Sequence, residues 1–148
     1  MGKMGVKPMA KTAPGKSRKI SWNPPGVAAP IRGYYSNTVK VESGPLVFVS
    51  GQVALDARGK IVGVGNPAKQ AEQVLRNVKA LLRANGCGMD DVVQVIVYVT
   101  DIRYLDDIRD ARLKHWPKGG PSSAIVEVSG LAFPELCVEI SAIAAPKA

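Results

Sequence analysis

Glu139 is the residue whose type and setting most clearly invite chemistry. In "LCVEISAIA", residues 136–144, Leu136, Val138, Ile140 and Ala142 alternate as one face of a strand, and Cys137, Glu139 and Ser141 form the other. A carboxylate midway along a sheet strand needs a partner or a task, because an unpaired buried charge is costly. The pattern leaves two readings open, a structural carboxylate at an interface and a functional one. A second candidate sits in "GGPSSAIVEV", residues 119–128. Two glycines and a proline end a connection there, and an alternating run begins with two serines. Ser122, Ala124, Val126 and Val128 share one face, and Ser123, Ile125 and Glu127 share the other. Ser123 thus sets a small hydroxyl at a strand mouth, where binding groups often sit.

Other chemistries are quickly set aside. The chain has no GxSxG elbow, no HExxH, no P-loop and no GxGxxG, and "GVGNP" lacks the spacing of a phosphate cradle. The two cysteines, Cys87 and Cys137, are not spaced as CxxC, and with one histidine they cannot make an ordinary zinc site. They read as two reduced thiols of a cytoplasmic protein. His115, beside Trp116 at a helix end, reads as a surface or interface residue. Asp106, Asp107 and Asp110, interleaved with Arg109 and Arg112, read as a solvated helix face and not as a metal site. No metal or cofactor is expected.

The elements that must position these residues follow from pattern. "NPPGVAAP" is an extended lead-in. "YYSNTVKV" and "PLVFVSG" read as two strands of a hairpin, with a shorter strand over Val53–Val62 broken by a turn at Asp56–Gly59. Asn66-Pro67 starts a helix with Ala71, Val74, Leu75, Val78, Leu81 and Leu82 at helical spacing, and Gly86 stops it. "VVQVIVYV", Val92–Val99, is apolar on nearly both faces and therefore central. Asp101 caps a second helix, carrying Leu105, Ile108 and Leu113 towards Trp116, and strands follow at Ser122–Val128 and Leu136–Ala144. The fold class is α+β, a mixed sheet with two helices on one face. The other face also needs cover, and one small domain has no further helix to supply it. A second subunit is expected there.

Length and charge agree with a single domain. The 148 residues are 46% hydrophobic, enough for a core, and no apolar run is long enough to span a membrane. The net charge of +8 is concentrated at one end: Lys3, Lys7, Lys11, Lys16, Arg18 and Lys19 precede the first acid, Glu42. The other fourteen basic residues nearly balance the twelve acids, which leaves +2 for the remainder. Residues 1–22 are therefore expected to be a disordered basic tail, followed by a single domain over 23–148. Nucleic acid is not expected as a partner of that domain.

Taken in order, "YYSNTVKV", "LVFVSGQVALD", "AEQVLRNVKALLRANGCGMDDVVQVIVYVTDI" and "PSSAIVEVSGL…CVEISAIA" resemble the reactive intermediate deaminase (Rid, formerly YjgF) family over Asn23–Ala144. The resemblance implies a chorismate-mutase-like fold, a homotrimer and ligand clefts between subunits. It implies cofactor-free hydrolysis of enamines and imines to ammonia and a 2-keto acid. Tyr35 stands at the family's ligand-contacting tyrosine, Ser50 and Gly51 at the serine and glycine lining the cleft, and Glu139 at the glutamate acting on water. Ser123 stands where deaminating members carry an arginine that forks onto the substrate carboxylate, a task suited to a planar guanidinium. Tyr34, Arg103 and Ile125 also depart from the pattern, with Arg103 in place of a frequent amide. The resulting expectation is a hydrolase of an imine, enamine or related C–N substrate other than the standard 2-imino acid, with Arg103 or Arg32 as candidate substitutes for the lost cation. The alternatives are a non-catalytic protein that binds a small metabolite and an endoribonuclease. The endoribonuclease is disfavoured by the near-neutral domain and the absence of a histidine pair.

Overall fold

The computed structural model describes residues 16–148. Their elements are β1 (Lys19–Trp22), β2 (Thr38–Val41), β3 (Val47–Gln52), α1 (Pro67–Ala84), β4 (Val92–Val99), α2 (Leu105–Leu113), β5 (Ser122–Glu127) and β6 (Val138–Ala144). β3 to β6 form one four-stranded sheet in the order β3-β6-β4-β5, in which only β4 and β5 run parallel. α1 and α2 pack together on one face of it. The expected α+β layering with a mixed sheet is present.

α1 forms where its sequence signals place it. The Asn66 side chain accepts from the Lys69 amide at 2.9 Å and Pro67 opens the helix. Ala71, Val74, Leu75, Val78 and Leu82 are fully buried on its inner stripe, against Val95 and Val97 of β4 and Ile140 of β6. The chain leaves the helix through Gly86 at φ +72°, where a Cβ would be strained.

Three expectations need correction. The hairpin of "YYSNTVKV" and "PLVFVSG" does not form: β2 pairs with β1, and β3 pairs with β6. Local turn chemistry at Glu42–Pro45 suggested a hairpin, but the long-range partners won. The strand over Val53–Val62 reduces to one bridge, Leu55 to Ile61, around the expected Asp56–Gly59 turn. The basic tail also ends earlier than residue 22, because Lys19–Trp22 form β1 and Arg18 is buried. The Arg18 guanidinium donates to the carbonyls of Ser43 and Pro45 at 2.6 Å and of Pro146 at 2.7 Å, fastening β1 to the β2–β3 turn and the C-terminal segment. Residues 1–15 of the expected tail lie outside the described residues.

The face of the sheet away from the helices carries Phe48, Ile96, Ile143 and Val126, and Phe48 is 72% exposed.

Candidate functional site

Glu139 and Gly51 form the first half of the site. Along β6, Val138, Ile140, Ala142 and Ala144 turn towards the helices and are buried, so Glu139, Ser141 and Ile143 turn to the open face. β3 bulges beside them: Val49 is opposite Ala142 and Gln52 is opposite Ile140, so Ser50 and Gly51 share the span facing Ser141. A Cβ on Gly51 would fall onto Glu139 Oε1 and stand 2.8 Å from its Cδ. The carboxylate therefore lies folded on the backbone of residue 51, and glycine leaves the room for it. Among the described residues, Glu139 enters no ion pair or side-chain hydrogen bond. Ser50, exposed on the same face, borders a shallow depression with Phe48, Gln94 and Ser141.

α1 holds both strands of this half. Gln70, fully buried, donates to the Glu135 carbonyl at 2.7 Å and accepts from the Cys137 amide at 2.9 Å, just before β6. Asn77 donates to the carbonyls of Val53 at 3.1 Å and Leu55 at 2.9 Å, just after β3.

Tyr35, Ser123 and Ile125 form the second half. They line one cavity of ≈ 240 Å³ together with Tyr34, Leu105 and Arg109. The Tyr35 hydroxyl accepts from the Ile31 amide at 3.2 Å, and the Tyr34 and Tyr35 rings meet edge to face at 5.3 Å.

Behind Ser123 lies a residue that sequence reasoning placed in solvent. Arg112, on α2, is fully buried and donates from Nη2 to Ser123 Oγ at 2.9 Å. Its guanidinium lies over the Tyr34 ring at 4.8 Å and near the Trp116 ring at 5.9 Å. Its Nε and Nη1 have no hydrogen-bond partner among the described residues. Burial pushes its pKa down to about 10, an effect opposed by Tyr34 and reinforced by the nearby charge of Arg109, so it remains charged at neutral pH. The signal was present in the helical spacing. Leu105, Ile108 and Arg112 fall on one stripe, and the stripe faces inward.

Neither substitute cation named from sequence reaches this cavity. Arg103 is turned out to solvent, its side chain 85% exposed, and its Nε is tied to the Asp101 carboxylate at 2.8 Å. That contact keeps the Asp101 carboxyl below its ordinary range. Arg32, half exposed, lies 3.5 Å from Asp110.

The two halves do not meet within one chain. Ser123 is opposite Val95 on β4, and both turn to the helix side; Glu139 is opposite Tyr98 on the far side of β4 and turns to the open face. With β4 between them, the strands that carry them stand about 10 Å apart. A guanidinium at position 123 would not lie beside the Glu139 of its own chain, because β4 separates their strands.

His115 is half buried, and burial lowers its pKa, with Lys79 and Lys114 adding to the fall. Cys87 and Cys137 are free and buried. Among the described residues, no group of three His, Cys, Asp or Glu side chains could hold a metal ion, and no helix is long and apolar enough to cross a membrane.

Comparison with known proteins places this arrangement. Residues 27–146 match the family described as Endoribonuclease L-PSP. The RutC family protein SSO3206 of Saccharolobus solfataricus is 37% identical over 112 residues, spanning 76% of this chain and 86% of its own. The crystal structure of YyfB of Yersinia pestis, from the conserved Rid protein family, superposes with a TM-score of 0.80 at 30% identity, covering 86% of this chain and 98% of that one. TdcF of E. coli, crystallised with bound serine, superposes at 0.63 with 26% identity, covering 89% and 96%.

Proposed function

Because this chain belongs to the Rid/YjgF family, we propose that it is a cofactor-free hydrolase of an imine, enamine or related C–N compound, acting in a cleft between copies of itself. The observation that carries the reading is the Glu139 carboxylate, free of partners among the described residues and folded on Gly51 at the open sheet face. It takes a proton from water as the oxygen adds to the C=N carbon, then returns the proton to the departing nitrogen. An imine and water give a carbonyl compound and ammonia, with no electron transfer. The bound serine in TdcF supports a small polar ligand of amino-acid size for a cleft of this kind.

The cleft is completed by a second copy, and a homotrimer is the assembly proposed. Two features support this reading. The exposed Phe48 face needs cover, and the Glu139 half and the Tyr35–Ser123 half lie on opposite sides of one sheet, so only neighbouring copies can bring them together. Action in the cytoplasm is proposed from the two free thiols.

A second reading, non-catalytic binding of a small metabolite, is favoured by Ser123 standing where deaminating relatives carry their arginine. RNA cleavage is the least supported, since the charge outside the basic segment is near neutral. Release of ammonia from an imine generated in place by an amino-acid oxidase, compared between the wild type and Glu139→Gln, separates the hydrolase from both.

A further inference from the structure

Arg112 is a buried cation with too few partners. Its Nη2 donates to Ser123 Oγ at 2.9 Å, its Nε and Nη1 donate to nothing among the described residues, and no carboxylate there lies within ion-pair distance. The faces of Tyr34 and Trp116 offset part of the charge but accept none of the in-plane N–H groups. One turn earlier on α2, Arg109 repeats the pattern. Its side chain is 15% exposed, its Nη1 reaches Asp106 at 2.8 Å, its guanidinium lies 5.9 Å from the same Tyr34 ring, and its Nε is buried without a partner among the described residues. Two guanidiniums of like charge around one tyrosine repel each other unless an anion joins them.

The cavity beside them is where an anion would enter. Arg109 and Ser123 are both on its wall, which is otherwise apolar or aromatic. Ser123 has one proton, and because its oxygen accepts from Arg112, that proton is free to point elsewhere. A hydroxyl polarised by a cation behind it is a stronger donor to an anion in front. Tyr34 and Ser123, two departures from the family pattern, both touch Arg112.

We propose that Arg112, acting through the Ser123 hydroxyl and alongside Arg109, forms a carboxylate-binding subsite of the cleft. Its cation is supplied from α2 and not from β5. The ground for expecting poor recognition of acid-bearing substrates was the missing arginine at 123, and Arg112 supplies a charge at that place. Arg112 is a positioning residue that acts on the ligand through Ser123. The subsite rests on the cleft being the ligand site, as proposed above, but not on the cleft being catalytic.

Calorimetric titration of the wild-type protein with pyruvate and with pyruvamide tests this directly. The two probes have nearly the same shape and differ in charge. Pyruvate should bind at least about tenfold more tightly, the ratio given by about 1.4 kcal/mol. Ser123→Ala should reduce that ratio several-fold, and Arg112→Met should bring it close to one while retaining the wild-type circular dichroism. Equal binding of acid and amide by the wild type overturns the subsite whatever the variants do, and so does a folded Arg112→Met that keeps the preference. A wild type that prefers pyruvate yet hydrolyses no imine upholds the subsite and rejects the hydrolase.

Discussion

The Glu139 carboxylate occupies the volume that a side chain at position 51 would need. A Cβ there would fall on its Oε1. The contact links a bulge on β3 to the middle of β6 and sets the carboxylate over the backbone of residue 51. Gly51 is open to substitution on conformational grounds, since its φ is not in the left-handed region. Its role is room.

Gly51→Ala should therefore act on Glu139 and not on the backbone. Displacing a catalytic carboxylate by about 1 Å costs on the order of 10²-fold in turnover, while the free end of Glu139 can swing aside and leave stability close to that of the wild type. Steady-state kinetics and a denaturant melt check both. Wild-type turnover in Gly51→Ala would mean that Glu139 has no positional task.

Ser123→Arg makes a converse test. Position 123 faces Arg112 and not the Glu139 of its own chain, so the new guanidinium meets a cation and removes the one acceptor that Arg112 has among the described residues. A buried charged donor left unpaired costs about 1–3 kcal/mol or more. The melting temperature should fall and imine hydrolysis should not improve. A more stable Ser123→Arg protein would contradict the geometry around Arg112.

Much of this architecture was legible in the sequence, and what was not has physical reasons. α1 announces itself through Asn66-Pro67, its apolar stripe and Gly86, all local signals. β4 announces itself through a run apolar on both faces. The pairing of β2 with β1 was not legible, because partner choice depends on contacts far apart in sequence, and Lys19–Trp22 was masked by the basic residues before it. At the site, the alternation in β5 and β6 put Ser123 and Glu139 on defined faces, but only the strand order reveals that the two faces are opposite. Arg112 was hidden by its neighbours. Asp106, Asp107, Arg109 and Asp110 read as a solvated face, and residue type outweighed the helical spacing that turns position 112 inward.

Acid stability should show the single histidine. Burial depresses the native pKa of His115 below 6.5, with Lys79 and Lys114 contributing. The unfolded chain then binds the proton more readily, so the contribution is fully present above pH 6.5 and is lost as pH falls through the lower native value. His115→Gln should flatten the stability profile just below pH 6.5. An unchanged slope there would assign the titration to other groups.

The thiols should be inert in the native protein. Burial pushes Cys137 up to about 11 and raises Cys87 as well, so neither forms appreciable thiolate near neutrality. Labelling with a disulfide reagent at pH 8 should be negligible until denaturant is added, and then reach both residues. Rapid labelling of the folded protein would contradict the burial described.

The reading of Glu139 as the residue that handles water is tested most directly by imine hydrolysis in Glu139→Gln. An amino-acid oxidase generates the imine in place, and semicarbazide trapping follows the competing reaction. The substitution should lower turnover roughly 10²–10⁴-fold, the usual worth of a general acid–base, while the sedimentation profile stays that of the wild-type protein. Turnover within a few-fold of wild type in a correctly assembled Glu139→Gln protein would contradict the proposed function.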